Sequence, residues 1–242
     1  MGRELMEAPE QSQSTPEAKK ESNLGLKGIV EVFYQPAKLF VRLKDDPKIL
    51  VPWIFFFLLI FSFIYLVSDM IVEMQMEVMR ETIADQGLST ADLPPEAMIK
   101  WSAIIFGPLV LMLAPLIAAA LALFFGNVVM EGRAKFKQLL SVMLYSEIVF
   151  ALGSLILAPL MLAKGSMKVS ISLAAILQDS QVQDPLYIAL SKFGAFYIWE
   201  IIVIGIGLSI VYGFSRNKGY TLAVLSMGMI SITHALVQLA FG

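Results

Sequence analysis

The sequence predicts an all-α, polytopic membrane protein, and two observations carry that prediction. Of 242 residues, 57% are hydrophobic and only 16% charged, against roughly 25% charged in an ordinary soluble domain. The charges are also unevenly placed. Lys48 to Asp69 encloses 20 uncharged residues and Lys100 to Glu131 encloses 30. Lys137 to Lys164 encloses 26 residues whose one charge is Glu147, and Lys192 to Arg216 encloses 23 whose one charge is Glu200. From Gly219 to Gly242 there is no formal charge. A helical span needs about 20 mostly apolar residues, and a Lys, Arg or Asp at its centre costs roughly 2.5–3.5 kcal/mol. Five transmembrane helices are therefore expected, with cores at residues 49–68, 104–126, 139–162, 196–214 and 221–239, so that residues 49–242 form one transmembrane domain.

The elements outside the spans follow from composition and periodicity. Residues 1–23 are rich in Glu, Gln, Ser, Pro and Lys, too polar to offset chain entropy by burial, and are expected to be a disordered tail. They lack the apolar core of a secretory signal peptide and are expected to be retained. In residues 24–48, Leu26, Ile29, Val30 and Phe33 recur at helical spacing, and after Pro36 the set Leu39, Phe40 and Leu43 continues an apolar face beside Lys38, Arg42 and Lys44. That pattern predicts amphipathic helices lying in the membrane interface, with Phe33 and Phe40 toward lipid and Lys38, Arg42 and Lys44 toward headgroups. Beyond the first span, 70–85 reads as its helical continuation, with Glu73, Glu77 and Glu81 on a solvated face. A second amphipathic segment is expected near 169–177.

Orientation is set by Lys and Arg outside the spans. Thirteen fall in 1–48, 127–138 and 215–220, and five in 69–103 and 163–192. The N-terminus is expected to be cytoplasmic and, with five spans, the C-terminus outside.

Several function classes drop out. A formal net charge of −2 offers no footprint for a nucleic-acid backbone. With no Cys and one His, disulfides, thiol nucleophiles and multi-His metal sites are excluded. No P-loop, G-x-S-x-G or H-E-x-x-H motif is present, and Gly205-Ile206-Gly207 lies inside a span rather than after a strand. The expectation is a non-enzymatic protein without cofactor or metal.

Intramembrane ionisable groups are the default site candidates. They are Glu147, Glu200 and His234. Taking span midpoints near 150, 205 and 230, Glu200 and His234 fall about 7 and 6 Å outward of the centre and Glu147 about 5 Å inward. A short connection makes the fourth and fifth helices antiparallel neighbours, so Glu200 is expected within reach of His234, and Glu147 is expected to be protonated or to pair with a hydroxyl such as that of Ser209. Small residues repeat every fourth position at Ala114, Ala118, Ala122 and Gly126, and at Gly205, Ser209 and Gly213. Such faces let helices pack closely, within the chain or between subunits. Pro108, Pro115 and Pro159 are expected to kink their helices.

The stretch IVEVFYQPAKLFVRLKDDPKILVPWIFF, with Pro36, Phe40, Pro47 and Pro52, the stretch FKQLLSVMLYSEI with Phe136 and Tyr145-Ser146, the pair Phe196/Trp199 and the run Gly205-Ile206-Gly207-Leu208 carry a family likeness. Over about residues 28–240 the chain resembles the bacterial branch of the Ypt-interacting-protein (Yip) domain family. It departs from that pattern at Glu147, where an uncharged residue is more usual, and in having no acid just before Phe196. The resemblance implies a five-helix inner-membrane protein with a cytoplasmic N-terminus. Its eukaryotic members bind small GTPases and shape membranes; its bacterial members look like accessory subunits of larger membrane assemblies. The sequence thus leads to a scaffold or accessory subunit bound to the lipid bilayer and to another membrane protein or a second copy. The alternative is a proton-coupled transporter or channel using Glu147, Glu200 and His234.

Overall fold

The computed structural model describes residues 16–85, 93–166 and 194–241, with side chains between 25 and 229. The expected segment at 169–177, residues 1–15 and the side chain of His234 lie outside the described residues. Among the described residues the regular elements are all helices. They are α1 (Pro16–Tyr34), α2 (Pro36–Asp45), α3 (Leu50–Leu66), α4 (Ser68–Asp85), α5 (Glu96–Leu111), α6 (Ala114–Phe124), α7 (Phe136–Lys164), α8 (Ala195–Tyr212) and α9 (Arg216–Phe241).

The central element is α7. Every residue from Leu139 to Val149 is buried, so this helix is covered on all sides, by α1, α2, α3, α6 and α8. A helix apolar all round belongs at the centre of a bundle. In a membrane this packing is stabilised by close van der Waals contact rather than by a hydrophobic effect, since lipid tails are as apolar as Leu. The adjoining helices α8 and α9 pack antiparallel on one side, α3 on another, and α5 lies at the periphery against α3 and α4.

Three helical stretches are long and apolar enough to cross a membrane: Glu96–Val129, Phe136–Lys164 and Ala195–Tyr212. A fourth arises if α3 and α4 count together, although they bend by 66° at their junction. The straight continuation expected there is corrected: Val67 leaves the helix and the Ser68 hydroxyl donates to the Tyr65 carbonyl at 3.0 Å, competing with the helical ladder. The bend lets α4 lay Val72 and Met76 on Ile99 of α5 while Glu73, Glu77 and Glu81 stay exposed. The fifth expected stretch falls within α9, a helix of 26 residues.

Proline acts as expected at one site. The span Glu96–Val129 breaks at Met112-Leu113, in the turn before Pro115, which has no N–H for the Leu111 carbonyl and instead starts α6, while Pro108 lies inside α5. Pro159 lies inside α7, which runs on to Lys164.

Two N-terminal expectations are corrected. Helix α1 begins at Pro16, inside the segment expected to be disordered, because Pro at a first helical position followed by Glu, Ala and Lys is a good helix start. The α1–α2 hairpin also sets the apolar face of α2 on protein and not on lipid, with Leu39, Phe40 and Leu43 buried. It stands along α7: the Lys44 carbonyl meets Gln138, Phe40 and Val142 both lie against Gly207, and Leu39 and Tyr145 both lie against Gly28.

Candidate functional site

Five side-chain hydrogen bonds and ion pairs fix the hairpin to the bundle and to itself. At the start of α7, Gln138 accepts the Lys135 N–H (2.8 Å), capping its own helix, and donates Nε2 to the Lys44 carbonyl at 2.6 Å. One turn on, the Ser141 hydroxyl donates to the Lys48 carbonyl at 2.9 Å. One turn further, the Tyr145 hydroxyl donates to the Gly25 carbonyl at 3.1 Å. Spaced three and four residues apart, these donors share one face of α7. Within the hairpin, Arg42 pairs with the buried Glu31, which Lys27 also approaches at 3.6 Å. Sequence reading named Tyr145 only as part of the family likeness and singled out none of Gln138, Ser141 and Glu31. Their shared signal was polar residues at helical spacing in an apolar stretch.

The residues read as interfacial now have definite places. Phe40 is fully buried between α7 and α8, so its contact is protein and not lipid. Phe33 is half-buried and meets Trp199 of α8 edge to face, ring centroids 6.2 Å apart. Lys38 is exposed, and Lys44 and Arg42 are partly so.

Of the intramembrane candidates, the structure unites Glu147 and Glu200. Both are buried, at 8% and 1% exposure, and their side chains face each other across the α7–α8 contact. A carboxylate can only accept, so two carboxyl groups this close can share a hydrogen bond only when one of them carries a proton. The Glu200 Oε1 has no partner among the described residues. Ser209 is not the partner of Glu147: its hydroxyl donates to the Ile206 carbonyl at 2.8 Å. Depths taken from span midpoints misplaced the two acids because α7 has 29 residues and α8 only 18, so their midpoints are not level. Counted from the end where α7 starts and α8 stops, Glu147 is eleven residues in and Glu200 twelve, level within about 1.5 Å.

The small-residue faces are used inside the chain. Ala118 and Ala122 are fully buried, Ala114 is half-buried, and Gly126 lies under the Tyr212 ring, whose hydroxyl donates to the Ala122 carbonyl at 3.0 Å. On α8, Gly205 and Ser209 receive Gly219 of α9 so closely that a Cβ on Gly219 would stand 2.5 Å from the Gly205 carbonyl oxygen. Gly213 is corrected: it is exposed, with open space where a Cβ would stand, and ends α8 in the left-handed region at φ 70°, where glycine has no Cβ penalty.

What the site can do is thus of two kinds: hold a hairpin rigidly against a bundle, and hold a proton between two helices. A family model described as the Yip1 domain matches residues 30–238. Comparison with curated proteins and with solved structures finds no match.

Proposed function

The chain belongs to the Yip1 domain family, and from that membership and the way its polar groups are used we propose that it is a membrane-embedded scaffold or accessory subunit, acting by packing and not by catalysis. The observation that carries this reading is a division of labour. The buried polar side chains of α7 join the chain's own helices, whereas the outer span is left open. In the most apolar stretch of Glu96–Val129, 28% of residues are buried, against 72% in α7. Trp101, Ile105, Phe106, Leu109 and Val110 make that open face, and its occupants are lipid and the transmembrane helices of another membrane protein or a second copy. The asymmetry of Lys and Arg supports a cytoplasmic N-terminus and an external C-terminus, and the likeness to the bacterial branch of the family supports a location in the inner membrane. Solubilisation in a mild detergent, affinity capture and mass measurement of the intact particle test the proposal. A stoichiometric companion is expected; a bare monomer overturns it.

One observation favours a second reading. Glu147 and Glu200 meet, both buried, between two helices at mid-bundle, the arrangement a proton-coupled transporter or channel requires. In liposomes, Glu147→Gln and Glu200→Gln would then abolish proton flux with the fold intact, and unchanged flux removes this reading.

A further inference from the structure

We propose that the outward side of α2 is a binding site for an anionic phospholipid, its phosphate held between Lys38 and Arg42 and an acyl chain lying on Ala37 and Val41. These four residues line a shallow groove of about 410 Å³ on the hairpin. The groove has an apolar floor and a cationic rim.

The cations are not spoken for. Lys38 is exposed, and among the described residues no acid pairs with it. Arg42 commits one terminal nitrogen to Glu31, yet its side chain stays 36% exposed. A guanidinium offers five donors in a planar fork that matches phosphate geometry, so its exposed part suits a phosphate oxygen. The nearby acids do not cancel this charge. Glu31 is already faced by Lys27 and Arg42, and Asp45 and Asp46 lie beyond the far end of the groove, with Asp46 paired to Lys48 at 2.7 Å.

Depth agrees with charge. Because α2 runs antiparallel to α7, with Lys44 at Gln138 and Phe40 near Val142, Lys38 and Arg42 flank the first turns of a long span. There a lipid's headgroup meets its chains, and Lys38 can reach outward along its stem. A zwitterionic lipid carries its own ammonium beside the phosphate and gains less from two fixed cations.

The test uses the full chain in nonionic detergent, stripped of native lipid, with bound lipid counted by native mass spectrometry as phosphatidylglycerol, phosphatidylcholine or inorganic phosphate is added. Saturable binding of phosphatidylglycerol is expected, weakened about fivefold by Lys38→Ala and unchanged by Lys137→Ala, which removes an exposed lysine at the same end of the bundle outside the groove. The side chain of Lys38 is exposed, so this variant keeps the fold, with elution volume as the check. The proposal fails if Lys38→Ala binds like the parent, if Lys137→Ala weakens binding equally, if phosphatidylcholine binds as well, or if inorganic phosphate displaces the lipid at equal concentration.

Discussion

Tyr145 joins the hairpin to the central helix through a single hydroxyl. Its ring lies against Gly28, where an added Cβ would stand 2.8 Å from it, and its oxygen reaches the Gly25 carbonyl. Tyr145→Phe keeps the ring and leaves a buried carbonyl without that donor, so it is expected to cost about 1 kcal/mol. Unfolding in mixed micelles with rising SDS, followed by helicity, measures it; an unchanged midpoint would show that the hydroxyl contributes nothing. Glu147 and Glu200 were legible as site candidates because a charge stands out in an apolar stretch. Their pairing was not legible, since it depends on how a helix of 29 residues is set against one of 18 and on which helix lies beside it.

At the scale of elements, close approach is decided by glycine. Helices α8 and α9 meet where Gly219 lies on Gly205 and Ser209, and a Cβ there collides with backbone. Gly219→Ala should therefore destabilise by roughly 1–3 kcal/mol, whereas Gly228→Ala on the same helix, with nothing within 4 Å, should stabilise by up to about 1 kcal/mol through helix propensity. The contrast between the two in the same unfolding assay is the check; equal effects would contradict the close packing. The amphipathic period of α2 was readable, but what covers its apolar face was not. Leu39, Phe40 and Leu43 are buried in protein, and in α1 the expected face splits, with Ile29 buried and Leu26 and Val30 exposed. A hairpin between a bundle and its surroundings has two covered sides, and periodicity marks a face without naming its neighbour.

For the molecule as a whole, the absence of Cys makes topology directly measurable. The turn holding Glu131 lies at the end where α7 begins, and α4 leaves α3 at the other end, so Glu131→Cys and Asp85→Cys should react with a membrane-impermeant maleimide from opposite sides. In intact cells Asp85→Cys should label, and Glu131→Cys only after permeabilisation. Labelling of both from one side would refute the orientation read from Lys and Arg. By itself the sequence determined the helical class, the apolar stretches, the ionisable residues inside them and the family likeness, because these rest on composition and local period, which survive without knowledge of neighbours. Only the tertiary structure decided that the N-terminal hairpin stands against α7, that the first apolar helix bends by 66° into the next, that the small-residue faces are used internally and that Glu147 meets Glu200. Each of these is a contact between segments far apart in the chain, fixed by packing geometry that no local pattern encodes.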